Sequence, residues 1–83
     1  MLRARIEIKL KKGVVDPEGK NIVKALHLLH FNEVKEAGVA KVIELLLDEE
    51  DANRARERAE EMCKKLLANP VINEYSISIE HVH

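Results

Sequence analysis

Strict alternation in the first eleven residues constrains the fold more than any other feature of this chain. Leu2, Ala4, Ile6, Ile8 and Leu10 interleave with Arg3, Arg5, Glu7, Lys9 and Lys11. Successive side chains of a strand point to opposite faces, so this run is a strand with one buried and one solvated side. A sheet of that kind takes its covering elements on the buried side. The chain has 83 residues, enough for one domain, and buries roughly 60–65% of its unfolded surface. Phe31 and Tyr75 are its aromatic residues, so the core must be filled by Leu, Ile, Val and Ala.

Asp16 reads as a helix N-cap with Pro17 at the first helical position, where the missing N–H costs nothing. A helix over about residues 17–30 follows. Ile22, Leu26 and Leu29, with Val23 and Ala25 beside them, form its core stripe, while Lys20, Lys24 and His27 mark the far side. Leu28 falls off that stripe and is a candidate for an intermolecular contact.

Residues 34–47 read as extended, with Gly38 permitting a bend, a bulge or a tight turn. A hairpin there gives the ferredoxin-like order βαββαβ; one bent strand gives a three-stranded βαβαβ variant. From Lys41 onward both faces are apolar, with Ile43, Leu45 and Leu47 on one, Val42 and Leu46 on the other, and Glu44 breaking the second. A sheet covered by helices on one side has no intrachain use for that second face. Another chain is therefore expected to cover it.

Asp48 is the expected cap of a second helix whose first turn is rich in acids, as the helix dipole favours. Ala52, Ala55, Ala59, Met62 and Leu66 recur at spacings of three and four and should face the sheet. Glu60 before Lys64 and Glu61 before Lys65 mark the solvated face. Pro70 cannot extend the helix and disfavours helical geometry at Asn69. Beyond it, Val71, Asn73, Tyr75, Ile77 and Ile79 alternate with Ile72, Glu74, Ser76, Ser78 and Glu80. The expected fold is α+β, a single domain over residues 1–83: a small antiparallel sheet with two helices on one face, dimerising through the sheet.

Fourteen basic and fifteen acidic residues give a net charge of -1 with no sustained basic stripe, which argues against nucleic acid and anionic membrane as partners. Aromatic content of 2% supplies no stacking platform for bases. A lone cysteine forms no internal disulfide, and no apolar run reaches membrane-spanning length, so a cytoplasmic location is expected. His27 and His30 lie one turn apart, and His81 and His83 share a strand face, but no Cys or carboxylate completes a ligand set, so no metal is expected. Cys63, at the flank of the second helix's stripe, reads as a small buried hydrophobe rather than a nucleophile. Gly13, Gly19 and Gly38 are isolated and form no phosphate cradle. No catalytic or cofactor-binding residue is assigned.

Asp16-Pro17-Glu18-Gly19, Ala25-Leu26-His27, Glu44-Leu45 ahead of the acidic turn, and the run from Cys63 to Tyr75 containing Leu66-Leu67-Ala68-Asn69-Pro70-Val71 together carry a resemblance that spans the whole chain. It resembles PurS, the small subunit of bacterial and archaeal phosphoribosylformylglycinamidine synthase. The resemblance implies a non-catalytic subunit of that ligase in de novo purine (IMP) biosynthesis, present as a homodimer or higher homo-oligomer. It would bridge a large synthetase subunit, which uses ATP and magnesium, and a glutaminase subunit, so that ammonia passes between them without reaching bulk water. No cofactor is expected on this chain itself.

The family often has Arg-x-Gly-Lys entering the middle strand, where this chain reads Gly38-Val39-Ala40-Lys41, so only Lys41 carries over. It also often ends the first helix on Gly, where this chain has His30. The interface residues expected are Leu28, Lys41, Val42 and Leu46. The competing reading is a ferredoxin-like or ACT-type dimeric module that senses a small molecule, which would need polar groups converging on a pocket.

Overall fold

The computed structural model describes residues 1–82, and its elements follow the order β1 (Leu2–Leu10), α1 (Pro17–Leu28), β2 (Ala40–Leu47), α2 (Ala52–Met62), a π-helical turn (Cys63–Leu67) and β3 (Asn73–His81). The strands form one antiparallel sheet in the order β2-β1-β3. β1 is central, with Ile6 opposite Ile43 on one side and Ile77 on the other. The middle segment supplies one strand, not a hairpin, so the fold is the three-stranded βαβαβ variant. Residues 34–39 lie outside it.

Alternation places the core as read from the sequence. Leu2, Ala4 and Ile6 are fully buried and Ile8 nearly so. Ala55, Ala59 and Cys63 cover them from α2 and the π turn, with Leu67, Tyr75, Ile77 and Ile79 packed around. The buried residues of α2 and its extension thus fall four apart, at 55, 59 and 63, and partly buried Leu67 continues the row. Leu66, expected on this stripe, is 83% exposed. The wider turn closed by the Ala68 N–H on the Cys63 carbonyl (3.0 Å) keeps Cys63 and Leu67 over the sheet and swings Leu66 away from it.

One further local expectation is corrected. Asp51, not Asp48, caps α2: its carboxylate accepts from the N–H groups of Asn53 and Arg54. That bond satisfies donors the helix cannot satisfy itself. α1 does begin at Pro17 under an Asp16 cap. It ends in a paired closure, Phe31 N–H to Leu26 carbonyl and His30 N–H to His27 carbonyl, with His30 at φ 73°. This is the left-handed closure in which glycine is usual, filled here by a histidine.

The largest departure concerns where α1 sits. Both helices were expected on one face of the sheet, yet only α2 packs on β1 and β3, and α1 stands off it. Gly19 is its one buried residue. The chain is correspondingly long, 49 × 30 × 14 Å with a radius of gyration of 16.4 Å, against about 12 Å for a compact domain of this length.

Candidate interaction surface

α1 and the segment returning from it form an arm. Three ties run down its length: the Val39 N–H donates to the Asp16 carboxylate (3.0 Å), Gly19 lies against the Ala37 carbonyl, and the His27 ring meets the Val34 carbonyl (2.8 Å). A Cβ at Gly19 would run into the Ala37 oxygen, which explains a glycine in the first turn of a helix, where it otherwise costs stability. Asp16 also accepts from the Gly19 N–H at 2.9 Å. These two backbone bonds, that of Gly19 foremost, hold its carboxyl below the ordinary aspartate value of 3.8.

Val23 and Leu26 of the arm's apolar stripe are half-buried, but much apolar surface on and beside that stripe is not covered by this chain. Ile22 is 38% exposed, Leu28 76%, Leu29 64% and Phe31 48%. Sequence reasoning assigned Ile22 and Leu29 to the core because amphipathic spacing reports that a helix has something to bury, not whose surface buries it. The eleven-residue return from the end of α1 to β2 was the available signal, since a helix folded down on its own sheet needs no such reach.

The four expected contact residues fall in three places. Leu28 ends α1 on the arm. Val42 and Leu46 share the outer face of the sheet and are exposed. Lys41 lies on the opposite face, paired in register with Ile8. Around Val42 and Leu46 the outer face is polar. Arg3 reaches Glu80 at 3.3 Å and Glu44 at 3.7 Å, and Lys9 reaches Glu74 at 3.4 Å. The two-sided apolar ribbon therefore contributes two separate side chains within a charged lattice, and the larger uncovered apolar surface belongs to the arm.

An open cleft of about 870 Å³ lies where the arm leaves the sheet, lined by Lys9, Lys11, Lys12, Asp16, Lys20 and Lys35 among others. Three of its polar groups are engaged elsewhere: Lys9 pairs with Glu74, Lys11 donates to the Pro70 carbonyl at 2.7 Å, and Asp16 serves backbone N–H groups. His27 is engaged with Val34 and His30 occupies the helix closure, while His83 lies outside the described residues. Cys63 is buried, and desolvation pushes its thiol up, away from the reactive thiolate. Tyr75 donates to the Glu60 carboxylate at 2.7 Å, and this bond, with lesser help from burial, raises the phenol to about 12. It fastens α2 to β3.

A family model described as PurS, phosphoribosylformylglycinamidine (FGAM) synthase, matches residues 3–81. The chain is 50% identical over 82 residues to the phosphoribosylformylglycinamidine synthase subunit PurS of Methanocaldococcus jannaschii, covering 99% of each. A crystal structure of PurS from that organism, one of the subunits of formylglycinamide ribonucleotide amidotransferase in the purine biosynthetic pathway, superposes with a TM-score of 0.91 at 51% identity over the full length of both chains. A chain in the structure of PurLQS from Thermotoga maritima matches with a TM-score of 0.85 at 29% identity, over 95% of this chain and 96% of that one.

Proposed function

The chain belongs to the PurS family of phosphoribosylformylglycinamidine (FGAM) synthase, and from that membership we propose that it is the non-catalytic small subunit of this ligase in cytoplasmic purine biosynthesis, working as a homodimer. The dimer bridges the large synthetase subunit, where ATP and magnesium are used, and the glutaminase subunit that releases ammonia. Its task is positional: ammonia has to travel between two active sites without escaping to water.

The uncovered arm is the observation that carries this reading. A helix of 12 residues with one apolar side left bare is marginal in water by itself, so another chain is needed to bury it. A second copy in a two-fold arrangement is the commonest solution. In that dimer Ile22, Leu28 and Leu29 of the arm are contact residues, with Val42, Leu46 and Lys41 contributing from the sheet. The sensing-module alternative is disfavoured because Lys9, Lys11 and Asp16, in the cleft beside the arm, are already engaged within the chain.

Reconstitution tests the role. Mixed with its cognate synthetase and glutaminase subunits, the chain should restore glutamine-dependent FGAM formation, while synthesis from added ammonium salt should depend on it far less. Equal glutamine-dependent rates with and without the chain would rule out a bridging role.

A further inference from the structure

The corner between the π turn and β3 is locked more firmly than any covering role inside this chain requires. The Asn69 N–H donates to the Asn73 side-chain oxygen (2.9 Å), the Val71 N–H to the Asn69 side-chain oxygen (3.0 Å), and the Asn73 N–H to the Asn69 carbonyl (2.7 Å). Two bonds then pin the corner to the end of β1: Lys11 N–H to the Ile72 carbonyl (2.8 Å) and Lys11 Nζ to the Pro70 carbonyl (2.7 Å). Yet it holds apolar side chains in water. Leu66 is 83% exposed, Val71 77% and Ile72 38%.

Single exposed apolar residues need no explanation; three within seven positions on a rigid corner are a preorganised surface, because little conformational freedom is left to lose on contact. Charge says what fits it. Lys64 and Lys65 precede Leu66, Lys11 and Lys12 lie on the strand end tied to the corner, and residues 62–73 and 10–15 hold no acidic residue. Among the described residues, Lys12 and Lys64 have no ion-pair partner, and Lys65 has only a 4.0 Å approach to Glu61.

A second copy meeting this corner through a two-fold axis would set lysine against lysine. Three of the four acids in the run 48–51 of another copy are already engaged, Glu49 with Arg54, Glu50 with the N-terminal ammonium and Asp51 as the cap of α2, which leaves Asp48 alone to answer it. A contact of that head-to-tail kind also would give a ring or a filament and not a two-fold dimer. We propose that the corner carrying Leu66, Val71 and Ile72 is a docking knob for a different protein chain, one presenting an apolar recess rimmed by carboxylates. On the assignment made above, that chain is a partner subunit of the synthase, so this proposal rests on that reading.

Two variants, Leu66→Glu/Val71→Glu and Lys64→Glu/Lys65→Glu, are compared with the wild-type chain for binding to the purified synthetase and glutaminase subunits and for self-association by sedimentation. Both should bind a partner at least about tenfold more weakly, a loss expected where central contacts are removed, with unchanged self-association. Wild-type binding should also weaken as salt is raised. Wild-type affinity in a folded variant, or loss of self-association, would overturn the knob while leaving the bridging reading intact. Failure of the wild-type chain to bind either subunit would remove both. Should the apolar variant not fold, the lysine variant, altered only at exposed positions, decides the matter.

Discussion

Tyr75 is where a single side chain reports on the packing of two elements. Its hydroxyl donates to Glu60, and a phenolate there would face a carboxylate, so its acidity is suppressed to about 12. Because the folded value lies above the ordinary 10.0, the bond's contribution is complete below that ordinary value and is lost as pH rises through the folded one. As the chain's one tyrosine, with no tryptophan, it can be titrated by ultraviolet absorbance without interference. The phenol should ionise near 12, and Glu60→Gln should bring it back toward 10. A wild-type midpoint at the ordinary value would mean that the bond is absent in solution. Tyr75 was legible as a core residue from alternation; its partner was not, because Glu60 reads in sequence as one more charge on a solvated helix face.

At the scale of elements, spacing revealed all three strands, the start of α1 and the junction at Pro70, since each depends on local sterics or on a period within one segment. The π turn was not legible. Its effect is to make Leu67, rather than Leu66, continue the row of Ala55, Ala59 and Cys63 over the sheet, and either residue satisfies an amphipathic pattern. The small alanines do mark close approach. Both are fully buried between helix and sheet, so Ala59→Leu should destabilise the protein by about 1–3 kcal/mol through overpacking, measured by urea denaturation. A change within error would mean that α2 sits farther from β1 than described.

For the whole molecule, the question that sequence could not answer was which surface buries α1. The interface residues named from sequence lie on both arm and sheet, and the uncovered area is weighted toward the arm. A self-associating chain is stabilised by its own concentration, so its melting temperature should rise on dilution's reversal, from micromolar to higher protein. Ile22→Asp with Leu29→Asp should abolish this dependence and give the 9.5 kDa monomer in sedimentation. Val42→Asp should weaken the dimer less, by about tenfold if one apolar contact is lost. A wild-type chain that sediments as a monomer would remove the homodimer from the proposal.

The central position of β1 also bears on how the chain matures. Leu2 is aligned with Leu47 on one side and with His81 on the other, so the second edge of β1 is paired only by a strand that lies far along the chain, beyond both helices. Such distant pairings carry a large loop-closure cost and slow folding. Until β3 docks, the folding chain therefore exposes one open backbone edge of its founding strand.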